Sequence, residues 1–266
     1  EVSVLISRIV AQNLAGRGEV TVYDPTSGSG SLLITIGEAV ARQQGYRGSI
    51  KYYAQELKEN TYNLTRMNLV MRGILPDNIY TRNGDTLEED WPYFDESDPT
   101  RTYNPLYVDA VVSKPPYSQK WDPENKETDA RYARFGLAPK SKADYAFLLH
   151  IIKSLNSRGK GAVILPHGVL FRGGKEADIR RKLLEDGHID TVIGLPANLF
   201  YSTGIPVCIL VLKKCKKPDD VLFINATEHF TKGKRQNQLS DEDIARIVST
   251  YRDRTEQTRY SRRVSM

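Results

Sequence analysis

Only 2 cysteines occur in 266 residues, which excludes a disulfide scaffold and gives no zinc framework. Cys208 sits in the apolar run Val207-Cys208-Ile209-Leu210, where a thiol behaves as a small hydrophobe, and Cys215 lies among lysines without metal-ligand spacing. No apolar run approaches the roughly 20 residues that a bilayer-crossing helix needs. Glu1 opens a stretch with neither a basic n-region nor a cleavage signal, so a soluble, cytoplasmic protein with no membrane partner is expected. Repeats and low-complexity tracts are missing too, and solenoids go with them. Strong charge of one sign is also lacking: 38 Lys and Arg against 33 Asp and Glu leave +5, which fits a polyanionic partner without requiring one. The clusters Lys213, Lys214, Lys216, Lys217 and Arg252, Arg254, Arg259, Arg262, Arg263 read first as solvated faces.

What is present is an ordinary globular composition, 39% hydrophobic and 27% charged, in a chain at the upper end of what one hydrophobic core serves. One large domain is expected. Short β-rich runs alternate with amphipathic stretches throughout, the layout of an α/β protein. Strands are expected over 20–23, 51–55, 78–82, 108–113, 161–165, 189–195 and 207–212, with 221–225 as an edge strand. Helices are expected over 31–42, 60–71, 144–155, 175–185 and 241–251, the last capped by Ser240 or Asp241. The helix over 60–71 places Leu64, Met67, Asn68 and Met71 on one face. The strand over 207–212 follows its predecessor with no helix between, so an antiparallel strand joins a mostly parallel sheet. The polar stretch 118–143 has no period and reads as a functional loop or partly disordered.

The first strand runs into Asp24-Pro25-Thr26-Ser27-Gly28-Ser29-Gly30-Ser31 and then into a helix, where doubly wound folds hold their ligand. Position 33 is Leu, so the dinucleotide fingerprint fails at its third glycine, and a Walker loop lacks its Gly-Lys-Ser/Thr ending. Taken alone, the segment also reads, with less weight, as a glycine turn between strand and helix. Glu56 ends the second strand where a carboxylate can accept both ribose hydroxyls of a nucleoside, or it is a surface acid. Asp85, in Asn83-Gly84-Asp85-Thr86, ends the third strand as an acceptor for a nucleobase amine, or as a solvated turn. Three consecutive strands finishing in acids at one sheet edge favour a shared nucleoside pocket.

These residues resemble the γ-type adenine-N6 DNA methyltransferases, and most closely the modification subunit of type I restriction-modification systems. Asp24 to Ser31 is similar to the family's S-adenosylmethionine loop, including Thr26, Ser27, Gly28, Ser29 and Gly30; Glu56 is similar to its ribose acid and Asp85 to its cofactor-adenine contact. Asp144-Tyr145-Ala146-Phe147, the segment from Leu165 to Phe171 and Leu195-Pro196-Ala197-Asn198-Leu199-Phe200 extend the likeness over nearly the whole chain. The resemblance implies a doubly wound, Rossmann-like fold with a seven-stranded mixed sheet containing one antiparallel strand. It implies a catalytic domain over 1–226, a C-terminal helical extension over 227–266, and flanking family domains outside this chain. S-adenosylmethionine is the implied cofactor. DNA, a specificity subunit and a restriction subunit are the implied partners.

One position departs from the family. Its tetrapeptide after the fourth strand begins with Asn or Asp, whose oxygen accepts from the target adenine's amine; here Lys114-Pro115-Pro116-Tyr117 begins with a residue that has three donors and no acceptor. An ammonium there also opposes the positive charge that develops on the amine nitrogen. Tyr117 remains able to stack on an extruded base, or to pack beneath the loop. Asn104-Pro105-Leu106-Tyr107 precedes the strand and lacks the second proline, so it is no substitute. A structural role is expected for His167, because methyl transfer to an amine needs no strong base. The expected activity is therefore adenine-specific DNA methylation impaired by Lys114. The alternative is a cofactor-free DNA- or subunit-binding scaffold that keeps the fold.

Overall fold

The computed structural model describes residues 1–12, 14, 18–43, 48–94, 103–215 and 217–266, so Lys216 of the lysine cluster lies outside the described residues. The chain runs α1 (Val2–Val10), β1 (Glu19–Asp24), α2 (Ser31–Ala41), β2 (Ser49–Glu56), α3 (Glu59–Met71), β3 (Ile79–Asn83), β4 (Val108–Ser113) and α4 (Asp144–Ser154). It continues with β5 (Leu155–Pro166), α5 (Lys175–Glu185), β6 (Ile189–Gly194), β7 (Val207–Lys213), β8 (Asp220–Asn225), β9 (Thr231–Lys232), β10 (Asn237–Gln238), α6 (Asp241–Asp253) and β11 (Ser261–Ser265). The main sheet has the order β11-β8-β6-β7-β5-β4-β1-β2-β3.

The expected seven strands become nine: β8, expected at the edge, and β11 add to them, and β11, antiparallel to β8, is a second strand of reversed direction in addition to β7. β8 is consequently an inner strand and not the edge. The segment after 226 holds α6, as well as the β9–β10 hairpin and β11. Ile244, Ile247 and Tyr251 of α6 are buried in the main core.

β1 pairs with β2 on one side and β4 on the other, all parallel, so the strand order reverses direction between β1 and β4. At such a switch point the connections leave toward opposite sides and open a crevice at the carboxyl edge. Period-2 alternation sends Val20 and Val22 of β1 into one core layer with α1, α2 and α6, and Tyr23 into the other with α4 and α5. β4 is buried at all six positions, as a central parallel strand must be.

The face of α3 that carries Leu64, Met67 and Met71 points to solvent, and the buried residues of that helix are Thr65 and Leu69. α3 packs against the glycine loop, which admits only small or polar partners there. Asn68 donates its amide to the Ser29 carbonyl at 2.8 Å. Residues 118–143 form ordered turns whose Trp121, Tyr132 and Phe135 enter the second core layer. At α6, Ser240 is the cap: its hydroxyl accepts from the Asp243 N–H and the Asp243 carboxylate accepts from the Ser240 N–H.

Candidate functional site

The loop after β1 is shaped by Asp24, which is buried. Its Oδ1 accepts from the Thr26 N–H at 2.9 Å and from the Thr26 hydroxyl at 3.4 Å. Its Oδ2 is buried with no hydrogen-bond partner among the described residues. Burial pushes the carboxyl up from 3.8 to about 7, against the pull of the Thr26 hydrogen bonds and with a smaller contribution from the charge of Glu56. The folded state therefore holds this proton more tightly than the unfolded chain. Stability from Asp24 is fully present below about pH 4, falls as the pH rises toward 7, and is flat above. Buried His150, whose pKa burial depresses, works in the opposite direction as the pH falls below its ordinary range, so the clean measurement is a difference between variants. Asp24→Asn keeps the shape without the titration. The thermal midpoint of the variant minus that of the parent is expected to be larger at about pH 8 than at about pH 5, and an equal difference at both would show that Asp24 is not held protonated.

Beyond Asp24 the loop is fastened from three sides. Thr26 Oγ1 lies 2.8 Å from Ser113 Oγ, joining the ends of β1 and β4. The Ser27 N–H donates to the Gln55 carbonyl, and the Ser27 hydroxyl meets Thr65 Oγ1 at 3.0 Å, which itself donates to the Gly28 carbonyl. Gly30 adopts φ +80°, and a Cβ there would stand 3.3 Å from the Thr65 methyl, so both conformation and space require glycine. The Gly28 and Lys58 N–H groups donate to the two carboxylate oxygens of Glu56, each at 3.0 Å, which fixes the direction of that side chain.

Around this loop the ends of β1 to β4 enclose a cavity of about 550 Å³, a size typical of small-molecule sites. Thr26, Gly28, Glu56, Asp85, Lys114, Pro115, Pro116 and Tyr117 all line it. Pro25 lines it too, whereas Asp24, expected to face the ligand, lies buried behind the loop, and the remaining loop residues do not line the cavity either. Ser27 is buried in its contact with Thr65, Gly30 caps α2, and Ser29 and Ser31 border a smaller cavity with Asn68 and Arg72. Asp85 is braced by its Oδ1 accepting from the Leu87 N–H, and the Thr86 hydroxyl donates to the Pro25 carbonyl across the cavity rim.

At the end of β4, Lys114 is half-buried with its Nζ 4.5 Å from the Phe200 ring centroid and 5.8 Å from that of Tyr117. Burial lowers its pKa. The turn after Tyr117 is held from below, where buried Asp144 accepts from the Ser118 N–H at 2.9 Å and pairs with Arg172 at 3.0 Å. This is what the Asp144-Tyr145-Ala146-Phe147 segment does, since Phe147 also lines the cavity. Phe200, Ser202 and Thr203, from the β6–β7 connection, complete that end and were not legible as site residues. The only signal for Phe200 was its place in the Leu195-to-Phe200 segment. His167 borders a separate cavity at the ends of β5, β6 and β8, and Asn104-Pro105-Leu106-Tyr107 precedes the amino end of β4, opposite the site.

The chain matches the family model described as N-6 DNA Methylase over residues 1–266. It is 37% identical to the type I restriction enzyme MpnII methylase subunit of Mycoplasma pneumoniae, over 97% of this chain and 48% of that protein. It is 32% identical to the MjaVIII methylase subunit of Methanocaldococcus jannaschii, over 93% of this chain and 43% of that one. The solved structure of the type I restriction-modification methyltransferase subunit from Streptococcus thermophilus superposes with a TM-score of 0.90 at 43% identity, covering 99% of this chain and 54% of that one. The chain thus spans about half the length of the relatives it matches.

Proposed function

Because this chain belongs to the N-6 DNA methylase family, we propose that it is the S-adenosylmethionine-dependent catalytic core of a type I restriction-modification enzyme, acting on the N6 amine of adenine in DNA. The observation that carries this is the convergence of Glu56, Asp85 and the Pro115-Pro116-Tyr117 turn on one cavity at the switch point of the sheet. The donor set suits the cofactor. A ribose diol needs paired acceptors, which the Glu56 carboxylate offers; a nucleobase amine needs an acceptor, which Asp85 offers.

The chemistry that S-adenosylmethionine supplies when bound is a methyl group made electrophilic by its sulfonium. The chain's part is positioning. Thr26 and Gly28 form the loop wall of the cavity, Tyr117 offers a ring face to a base turned out of the duplex, and the Pro115 carbonyl accepts from the amine. Lys114 opposes this arrangement, so the activity is impaired. Residues 1–226 form the catalytic domain in this reading and 227–266 an extension of it. DNA, a specificity subunit and a restriction subunit are the partners. No helix among the described residues is long and apolar enough to cross a membrane.

Calorimetry with S-adenosylmethionine tests this directly, since a scaffold without cofactor shows no heat of binding. Glu56→Gln keeps the side chain's size but removes its charge and one acceptor oxygen. A hydrogen bond to a charged group contributes about 1.5–3 kcal/mol, so affinity is expected to fall roughly tenfold or more. An unchanged Kd would remove Glu56 from the ribose site.

A further inference from the structure

We propose that Lys114 is itself a methyl acceptor: its ε-amine takes the methyl group within the cavity, and the chain comes to carry N-methyllysine at position 114. This rests on the reading of the cavity as an S-adenosylmethionine site. Lys114 stands at the end of β4 and lines the same cavity as Glu56 and Asp85, so its amine shares the space into which the methyl group is delivered. The Nζ lies 4.5 Å from the Phe200 ring centroid and 5.8 Å from the Tyr117 ring centroid. Tyr117 is the ring on which an extruded base would stack in the proposed reading.

Among the described residues the Nζ has neither a carboxylate nor a hydrogen-bond acceptor. Partial burial favours the neutral amine, whose lone pair is the nucleophile, and the Nζ is left open to the cavity. The rings then suit the product. N-methylation retains the positive charge that aromatic faces attract. Lys58 lines the same cavity but is exposed, and no aromatic ring lies over it among the described residues.

The step balances without a further reagent. The ammonium first gives one proton to water. The Nζ lone pair then forms the new C–N bond as the methyl carbon leaves sulfur, whose bonding pair stays behind as a neutral thioether, so the positive charge passes from sulfur to nitrogen.

The chain is incubated without DNA in S-adenosylmethionine carrying a deuterated methyl, and peptides are mapped by mass spectrometry alongside calorimetry of binding. Label is expected on Lys114 and not on Lys58, lost in Lys114→Arg and suppressed by S-adenosylhomocysteine. Binding by calorimetry without label at Lys114 overturns this inference and leaves the cofactor site standing. Label spread equally over surface lysines overturns it as adventitious alkylation. Absence of binding overturns both the inference and the cofactor reading beneath it.

Discussion

Lys114→Asn is expected to raise the rate of methyl transfer to adenine in DNA at least roughly tenfold, a fall of ~1.4 kcal/mol in the barrier. The assay is transfer of labelled methyl to DNA by the chain, with the proposed specificity subunit present. Two effects add. Asn restores an oxygen that accepts from the adenine amine, where lysine has only donors. It also removes a cation from beside a nitrogen that becomes positive as the methyl arrives. Two full charges about 4 Å apart repel by roughly 4 kcal/mol at an effective dielectric of about 20, so even a fraction of a charge supplies the tenfold. Burial, which depresses the lysine pKa, lessens the second effect and leaves the first untouched. Asn is also too short to reach the ring faces of Phe200 and Tyr117, which it would free for the base. Equal rates for parent and variant would show that position 114 does not face the reacting amine, and the transferred label should leave position 114 for DNA as the rate rises.

How far such a site could be read beforehand depends on where its information resides. The ends of β1 to β4 were legible because each strand is a short β-rich run stopped by Asp24, Glu56, Asn83 or Lys114, residues with a local reason to end a ladder. β4 matched its expected bounds because a strand buried on both faces has no alternation to blur it. The strand order that brings these ends together was not legible, since it depends on which way each crossover turns. β11 was missed for a different reason. Arg262, Arg263 and Val264 are exposed and read as a charged tail, and only the ladder offered by β8 makes them a strand. On α3, the apolar face was legible but its direction was not. The contacts of Thr65 and Asn68 with the glycine loop decide which side packs, and those side chains look neutral in sequence. Phe200 lies 86 residues beyond Lys114, and nothing local marks it as part of the same site.

The stretch 118–143 shows most clearly what a period cannot reveal, because one side chain anchors it, and removing that side chain carries the largest expected loss of stability. Arg131 is 3% exposed. Its guanidinium donates to the Thr86 carbonyl at 2.7 Å, the Leu87 carbonyl at 3.0 Å, the Asp129 carboxylate at 2.8 Å and His150 Nδ1 at 3.2 Å. With Nδ1 accepting, His150 keeps its proton on Nε2 and donates it to the Tyr23 hydroxyl, which in turn donates to Gln55. The 118–143 turns, the β3–β4 connection, β1, β2 and α4 are thereby joined in one buried network. Arg131→Met fills much of the volume but strands both carbonyls and Nδ1 without a donor. Each buried group left unpaired costs about 1–3 kcal/mol, while Asp129, partly open to water, rehydrates and adds little. A loss of about 3 kcal/mol or more is expected in denaturant unfolding at unchanged m, in line with removal of one partner from a buried pair. Arg131→Lys keeps the charge but not the planar fork, and should recover less than half of the loss. Because Thr86 lines the cavity beside Asp85, cofactor affinity is expected to fall in Arg131→Met as well. A loss below about 1 kcal/mol would mean that water replaces the guanidinium without cost. The second core layer, and not Arg131, would then be what holds these turns against the site.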